Sequence, residues 1–367
     1  MAPTSSVLVQ PVVSDRAATQ PPIITSAKTL AESATLTSLP SDYSFTEDPY
    51  QPADPNDPQY TVPTIDFSLL TSSSPGHRSK IIQDLRKVCQ EWGCFTVINH
   101  GVPESLMQAM VDAYFKFFNL TEEEKSNIET NHGADRAQMK YGTSYNVGSE
   151  KVRLWRDFIK MRVHPDFHTL NKPEGFSEVA MEYSKKTREV AAELIKAISE
   201  SLGLDENYIH KALNLDRGVQ FLLTNYYPPC PQPELAMGLS HHTDQCLITI
   251  LADNDVSGLQ VEHNGKWVSV TSVPKAFFVI LADQMQILTN GKYKSVMHQA
   301  RVNKEEERIS IASLHGPSFD TLVSPSPELI EREGGAPIYR AINYREYVDL
   351  QQRCRMNLKA ALDEIRI

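Results

Sequence analysis

The chain has 367 residues and a formal net charge of −10. An acidic chain without a basic patch is not expected to bind nucleic acid. No run of 18 apolar residues occurs, so no membrane span is predicted. The five cysteines are scattered and odd in number, which indicates free thiols in a reducing compartment rather than a disulfide framework. We therefore expect one large soluble protein of the cytoplasm.

The first 60 residues differ in composition from the rest of the chain. They are rich in Ser, Thr, Pro and Ala and lack helical or strand periodicity. This composition predicts a solvated, poorly ordered leader over residues 1–60. A transit peptide is poorly supported, because Arg is scarce and several acidic residues interrupt the segment.

Helices are predicted next along the chain. Apolar residues recur at helical spacing over residues 79–92 and 177–202, the second closed by a glycine. A further helix is predicted over residues 103–119 with proline at its start, and residues 121–124 form a capping box that opens a short helix. These apolar stripes are typical of core packing rather than of cofactor binding.

Strands and tight turns are predicted from Phe221 onward. Asn264-Gly265 between two short apolar segments is a strong hairpin signal. The continuous apolar run 277–281 fits a buried strand. Asn343 is placed to cap a final helix, whose apolar stripe contains Leu358, Leu362 and Ile365.

One group of residues has the composition and spacing of a set of metal ligands. His242 and Asp244 are two positions apart in a segment that reads as strand, so both side chains should project to the same face. His298 comes far enough along the chain for several strands to intervene and return. Two imidazoles and one carboxylate on one face form the ligand set of non-haem Fe(II) oxygenases. Cys246 could share this face, and we interpret it as filler.

A second pair of residues follows this set. Arg308 and Ser310 come after a stretch that fits a turn and the start of the next strand, where both would share a face. The arginine fork pairs bidentately with a carboxylate, and serine adds a hydroxyl donor. A zinc hydrolase also uses two histidines and a carboxylate, but it gives this pair no role.

These motifs resemble those of the plant 2-oxoglutarate- and Fe(II)-dependent dioxygenases. The resemblance runs from about residue 60 to the C-terminus and rests on ordered segments of the sequence: VPTID at 62–66, WGCFTVINHGV at 92–102, NYYPPCPQPE at 225–234, GLSHHTD at 238–244, NGKYKSVMH at 290–298 and ERIS at 307–310.

The resemblance implies a mainly β protein with flanking helices, built on a double-stranded β-helix of the jelly-roll, cupin-like type. It implies that the leader is followed by an N-terminal helical and β region over 61–165, helical support over 166–215, the catalytic jelly roll over 216–318 and a C-terminal helical cover over 319–367.

The family's site residues carry over to this chain. His242, Asp244 and His298 would be the catalytic Fe(II) ligands, and the co-substrate 2-oxoglutarate would be bound by four residues, Arg308, Ser310, Tyr227 and Asn225. The implied reaction is hydroxylation or desaturation of a small molecule by O2, with release of succinate and CO2, supported by ascorbate. The resemblance also implies a monomer.

The substrate pocket is implied to be lined by Tyr141, Phe158, Leu223, Leu314 and Gly316. The branch that contains anthocyanidin synthase and flavonol synthase typically has Lys, Phe and Glu at the last three positions. The polar groups that would hold a polyhydroxylated flavonoid are therefore absent, which favours an aromatic or polycyclic, largely apolar substrate such as a phenolic, coumarin, alkaloid or terpenoid, with a flavonoid kept open.

Two alternatives remain at this point. The first is an oxidase of the branch that uses ascorbate in place of 2-oxoglutarate, which also keeps the Arg-x-Ser pair. The second is a non-catalytic small-molecule-binding barrel, whose expected signature is the loss of a metal ligand. All three ligands are present in this sequence.

Overall fold

The computed structural model describes residues 26–45, 51–72, 75–125, 138–143, 152–354 and 360–367. Its strands are Gln51–Pro52 (β1), Thr64–Asp66 (β2), Cys94–Ile98 (β3), Met139–Gly142 (β4), Asp157–His164 (β5), Val219–Tyr227 (β6), Leu239–His242 (β7), Ile248–Asp253 (β8), Leu259–His263 (β9), Lys266–Ser269 (β10), Phe277–Leu281 (β11), His298–Ala300 (β12), Arg308–Gly316 (β13), Leu322–Val323 (β14) and Ile342–Asn343 (β15).

The helices lie mainly on the outer side of the sheets. They are Ala27–Ala31 (α1), Pro75–Glu91 (α2), Glu104–Phe118 (α3), Phe176–Ser201 (α4), Tyr208–Ala212 (α5), Asp283–Leu288 (α6), Pro327–Glu333 (α7), Tyr344–Arg353 (α8) and Ala360–Glu364 (α9). Short 3-10 turns occur at Ser41–Tyr43, Pro58–Tyr60, Phe67–Leu69 and Leu215–Arg217.

The strands form two main sheets. The larger has the order β2-β3-β11-β8-β13-β6-β5-β4, and the smaller has the order β1-β10-β9-β12-β7. Neighbouring strands from β6 to β13 pair antiparallel. The predicted jelly-roll core is confirmed. Strands β2 to β5 extend the larger sheet, so the predicted N-terminal region and the jelly roll share one sheet.

Strand β13 is the centre of the larger sheet. All nine residues are buried, and β6 and β8 pair with it on either side. Because side chains alternate between faces, Ser310, Ala312 and Leu314 face the barrel interior. Ser313 faces the outer helical layer, where its hydroxyl lies 3.2 Å from that of Thr187 on α4. The strand thus separates a site face from a packing face.

Several local predictions are confirmed. Helices α2, α3 and α4 occupy the predicted segments within a few residues. In the capping box, the amide of Glu124 donates to Thr121 Oγ1 at 3.3 Å, and the Thr121 amide donates back to Glu124 Oε2 at 3.2 Å. Strands β9 and β10 form the predicted hairpin, in which Asn264 and Gly265 have φ values of 51° and 75°, as a tight two-residue turn requires.

The C-terminal helix was predicted in part correctly. Asn343 caps α8 by accepting a hydrogen bond from the Arg345 amide at 3.0 Å. The described residues then end at 354 and resume at 360, where Leu362 of α9 and Ile365, directly after that helix, are buried. Leu358 lies outside the described residues.

Residues 26–45 form an ordered segment that packs on the barrel, so the prediction of a poorly ordered leader is wrong for this part. Two successive backbone N–H groups, beginning with that of Ala27, donate to the buried carboxylate of Asp157 at 2.9 and 3.0 Å. The ring of Tyr43 meets that of Trp155 edge-on, with centroids 5.1 Å apart. These partners lie more than 100 positions away in sequence, so local composition does not reveal them. Residues 1–25 lie outside the described part of the chain.

Candidate active site

Two histidines and an aspartate converge at one end of the smaller sheet. His242 ends β7 and His298 begins β12, and the two residues are direct partners in the antiparallel ladder. Each Nε2 lies 3.7 Å from Oδ1 of Asp244. The three candidate ligand atoms lie within 4.8 Å of one another. This spacing fits a single metal ion held on one face, with the opposite positions left open.

Asp244 differs from its prediction in one respect. The strand ends at His242, and Asp244 lies in the connection to β8 rather than in the extended segment. Its position is set by other contacts, because the amide of Asp283 donates to its backbone carbonyl at 2.9 Å. The predicted grouping of the three side chains still forms.

Hydrogen bonds orient both imidazoles. Nδ1 of His242 lies 2.8 Å from the carbonyl oxygen of Ser240, and Nδ1 of His298 lies 3.1 Å from that of Val296. A backbone carbonyl only accepts, so each Nδ1 carries the proton and donates it. Each Nε2 is then left with its lone pair toward Asp244, the tautomer that metal coordination needs.

The electrostatic environment favours a neutral imidazole at His242. Burial lowers the pKa of His242 well below its ordinary value, and the neighbouring His298 lowers it further, while Asp244 acts in the opposite direction. A neutral imidazole keeps the lone pair that a metal ion takes. The donor set and its protonation therefore both fit a divalent ion such as Fe(II).

Thr249 fixes the carboxylate of the set. Its hydroxyl donates to Asp244 Oδ2 at 2.6 Å, which leaves Oδ1 facing the two imidazoles. Such outer hydrogen bonds orient a ligand before the metal arrives. Sequence reasoning missed Thr249, although its place on β8 shortly after the metal motif was a usable signal.

Thr249→Val is expected to weaken Fe(II) binding about 10- to 100-fold, because the carboxylate loses the donor that holds its orientation. Titration of Fe(II) into the metal-free protein without oxygen measures the change. Thr271→Val, at an exposed position, is the matched control and should bind Fe(II) as the unchanged chain does. Equal affinity in the Thr249 variant would show that the hydroxyl does not position the ligand.

A polar group lies inside the barrel beyond the triad. Arg308 is nearly fully buried, its Nε donates to the carbonyl of Val256 at 2.9 Å, and its guanidinium lies 5.3 Å from the ring centroid of Tyr227. Its Nη2 lies 3.6 Å from the carboxylate of Asp253. These contacts fix the plane of the guanidinium at the cavity wall.

Ser310 and Asn225 complete this polar group. They are direct partners across β13 and β6, and the Asn225 amide lies 3.5 Å from the Ser310 hydroxyl. Arg156, which sequence reasoning missed, donates from its fully buried side chain to the Asn225 side-chain oxygen. A hydrogen-bonded partner of this kind fixes which way the amide points. The four predicted carboxylate-binding residues all line one cavity with the triad.

Most of the other residues that line this cavity are apolar, and Thr249 and Gln299 are the polar exceptions. Its lining includes the predicted Leu223 and Leu314, which face inward from adjacent strands, and four further apolar residues, Leu251, Leu259, Ile280 and Ala312. The side chains of the five strands that supply these residues exclude water from one flank of the triad.

The structure separates the remaining predicted pocket residues. Phe158 is paired with Asn225 in the ladder, so it shares the interior face of the sheet. Tyr141 is paired with Ile159 and packs against Phe117 of α3 at 5.8 Å between ring centroids. Its ring is on the helical face, so the prediction that Tyr141 lines the pocket is not supported by its position, because strand alternation turns it away.

Gly316 ends β13 on the same face as Leu314. A Cβ built on it would lie 2.6 Å from the hydroxyl oxygen of Tyr344. The space beside Gly316 is therefore occupied by Tyr344 of α8, a residue that sequence reasoning did not single out. Cys246, also near the triad, contacts Thr249 at 3.2 Å between sulfur and hydroxyl oxygen, and burial raises the pKa of its thiol. It fits the role of filler.

Comparison with known proteins identifies the family. Residues 218–317 match the model of the 2OG-Fe(II) oxygenase superfamily, and residues 62–183 match that of the non-haem dioxygenase N-terminal region in morphine synthesis. Together these matches cover the jelly roll and most of the region that precedes it.

Individual proteins are similar over most of their length. A rice (Oryza sativa subsp. japonica) protein named 2-oxoglutarate-dependent dioxygenase 19 is 43% identical over 311 residues, which is 84% of this chain and 91% of that protein. A Petunia hybrida flavonol synthase/flavanone 3-hydroxylase is 36% identical over 81% of this chain and 83% of its own.

A solved structure agrees with these relatives. The crystal structure of JOX2 in complex with 2OG, Fe and JA superposes with a TM-score of 0.81 at 31% identity, covering 94% of this chain and 98% of that one. None of the described helices is long and apolar enough to cross a membrane. The chain belongs to the 2-oxoglutarate- and Fe(II)-dependent dioxygenases, enzymes that use Fe(II), 2-oxoglutarate and O2 to oxidise a small molecule.

Proposed function

We propose that this dioxygenase hydroxylates or desaturates a small, largely apolar aromatic or polycyclic metabolite, with release of succinate and CO2. The observation that carries the substrate class is the apolar lining of the cavity beside the triad, which includes Leu223 and Leu314. Leu223 takes the place of the lysine, and Gly316 that of the glutamate, found in the flavonoid-oxidising branch. Phenolics, coumarins, alkaloids, terpenoids and flavonoids all fall within this class.

The triad has the role of holding the metal. His242, Asp244 and His298 present two Nε2 atoms and one carboxylate oxygen to a common point. When bound, Fe(II) and 2-oxoglutarate supply the activation of O2 and the oxidising power of the reaction. The chain's part is to fix the ligand geometry through the carbonyls of Ser240 and Val296, and to leave the opposite positions open.

The polar end of the cavity has the role of binding the distal carboxylate of 2-oxoglutarate. Arg308 offers a planar donor fork, Ser310 and Tyr227 offer hydroxyls, and the Asn225 amide assists. The guanidinium is held by Val256 and Asp253, so little side-chain freedom is lost when the anion binds. Its charge also stabilises an anion that would otherwise be costly to bury.

The apolar wall has the role of orienting the substrate and excluding water from the reaction. Leucine side chains give contact area without directional bonds, so they discriminate between substrates by shape. Each methylene is worth roughly 1–3 kcal/mol in such a pocket. The Petunia relative, whose name contains flavonol synthase, supports a flat polycyclic compound as one candidate.

The test is aerobic incubation of the purified protein with Fe(II), ascorbate and 2-oxoglutarate across a panel of phenolics, coumarins, flavonoids, alkaloids and terpenoids. Succinate and substrate mass are followed together. Succinate coupled to a gain of one oxygen, or to a loss of two hydrogens, supports the proposal. Turnover that proceeds with ascorbate alone would instead favour the oxidase branch, and turnover confined to polyhydroxylated flavonoids would contradict the apolar pocket.

Leu314→Ala is expected to shift the substrate range toward bulkier compounds, with changes in kcat/KM of roughly 10- to 200-fold between competing substrates. Iron content should stay the same, because Leu314 is not one of the proposed metal ligands. Ile311→Ala on the same strand is the matched control, since its side chain points to the helical layer. It should lower stability by about 2–5 kcal/mol without changing the substrate range. A loss of iron from the Leu314 variant would show that the leucine is structural.

We also propose that the enzyme is a monomer, as the resemblance implies. Size-exclusion chromatography with light scattering should give a mass near 41.3 kDa. A species of twice that mass would contradict the proposal.

A further inference from the structure

The C-terminal helix places one hydroxyl inside the barrel. Tyr344 is the first residue of α8, and its side chain is 1% exposed. Its hydroxyl oxygen lies 2.6 Å from the position that a Cβ on Gly316 would take. Because Gly316 shares the interior face of β13 with Leu314, which lines the cavity, the hydroxyl is on the substrate side of the sheet. The glycine leaves the room that this tyrosine uses.

The tyrosine is held rigidly. Its amide donates to the carbonyl of Thr321 at 2.9 Å, and the next amide donates to that of Phe319 at 3.1 Å. Its ring stacks on the ring of Phe319, with centroids 5.6 Å apart and planes 12° apart. The ring centroid of Phe319 in turn lies 6.3 Å from that of Phe221, which pairs with Leu314 across β6 and β13. The hydroxyl is therefore carried by a fixed aromatic group next to the apolar wall.

The hydroxyl is neutral and close to the metal motif. Burial raises its pKa well above the ordinary value, and the nearby Cys246 and Asp244 raise it further. A neutral phenol can donate one hydrogen bond and can also accept a hydrogen bond. Among the residues that the structure describes, none forms a hydrogen bond with this hydroxyl. A buried hydroxyl next to an apolar wall is stabilised most when a bound ligand supplies its hydrogen-bond partner.

We propose that Tyr344 is a specificity-determining residue, whose hydroxyl forms a hydrogen bond with a hydroxyl group of an aromatic substrate. The inference rests on the proposed function and narrows it: the substrate is a phenol that turns its polar group toward Gly316 while its ring lies against Leu314. A pocket that binds a substrate hydroxyl in this way rejects the analogue that lacks it, because the buried polar group of the protein is then left unpaired.

The test uses matched pairs of compounds, each phenol with its deoxy analogue, drawn from the phenolics, coumarins and flavonoids. Dissociation constants are measured by calorimetry on the Fe(II)- and 2-oxoglutarate-loaded protein without oxygen, so that no turnover occurs. The unchanged chain should bind the phenol about 10-fold more tightly than its deoxy partner. Tyr344→Phe should bind both compounds alike, with the KM for the phenol raised to that of its deoxy analogue.

Tyr347→Phe is the matched control. Tyr347 lies one turn further along the same helix, and its hydroxyl donates to the buried Asp283 carboxylate at 2.7 Å. Its loss should lower the melting temperature but leave the preference for the phenol intact. Gly316→Ala provides a second route, since the added methyl group displaces the Tyr344 hydroxyl. Gly316→Ala by itself should remove the preference for the phenol. The double variant with Tyr344→Phe should show no larger effect than either single variant.

The outcomes separate the two proposals. A preference for the phenol that survives in Tyr344→Phe, or that is absent from the unchanged chain, would overturn the role of Tyr344 while aromatic turnover still supports the proposed function. Failure of every aromatic compound to bind would overturn the role of Tyr344, and failure of the polycyclic alkaloids and terpenoids as well would overturn both proposals.

Discussion

His242→Ala abolishes turnover, with an expected loss in kcat/KM of more than about 100-fold, and the purified protein loses its iron. The loss should exceed the roughly 10- to 100-fold effect of removing an outer hydrogen-bonding partner, because a ligand itself is removed. The two remaining groups, Asp244 and His298, hold a divalent ion poorly without the third donor. Metal analysis after dialysis and succinate release under saturating Fe(II) measure the two effects separately.

His241→Ala is the matched control for this experiment. The two histidines are adjacent in sequence, but the ring of His241 lies on the other side of the strand, 6.5 Å from that of Trp267 between centroids. Iron content and turnover should be retained in this variant. Retention of iron by His242→Ala together with its loss from His241→Ala would reverse the assignment of the metal ligand.

The two histidines of the triad could be predicted because alternation within a strand fixes the face on which each side chain lies. Strand alternation placed His242 toward the barrel interior, and the ladder that pairs it with His298 is the ordinary antiparallel kind. The aspartate was less predictable, since β7 ends before Asp244. Its side chain reaches the two imidazoles because Thr249 and the Asp283 amide hold it there. Contacts of this kind join separate elements and have no local signature.

The ordering of residues 26–45 illustrates the same limit more strongly. Composition indicates how much apolar surface a segment can bury by itself. It does not indicate that a carboxylate elsewhere, here Asp157, can satisfy the first N–H groups of a short helix. Trp155 and Tyr43 then bury a ring pair that neither segment could bury alone. The segment is ordered by the barrel on which it packs.

Two of the residues predicted for the substrate pocket, Leu223 and Leu314, line the cavity that contains the triad, and there is a physical reason why these positions could be placed. Residues on β6 and β13 could be placed, because their neighbours in sequence fixed the interior face through Asn225 and Ser310. Tyr141 lies on β4, which is two strands beyond β6 in the sheet. No predicted site residue on β4 was available to fix which of its faces points to the interior. Tyr344 could not be found at all, since its role depends on the space beside Gly316 and on the return of the chain through α8.

Arg308→Lys is expected to raise the KM for 2-oxoglutarate about 10- to 100-fold, with a smaller effect on kcat. A charged hydrogen bond in a buried site contributes roughly 1.5–3 kcal/mol, and lysine replaces the planar fork by a single point charge. The variant also loses the Nε donor that binds the carbonyl of Val256 at 2.9 Å. Steady-state kinetics with 2-oxoglutarate as the varied substrate measure the change.

Arg340→Lys is the matched control, because Arg340 is exposed and its nearest acidic partner, Glu346, is also at the surface. Its KM for 2-oxoglutarate should equal that of the unchanged chain. Iron content should be normal in both variants, since neither arginine is one of the proposed metal ligands, and this separates the anchor from the metal site. An unchanged KM in Arg308→Lys would place the carboxylate elsewhere in the cavity, and a fall in kcat without a rise in KM would mean that Arg308 acts on the reacting atoms and not on the binding of the co-substrate.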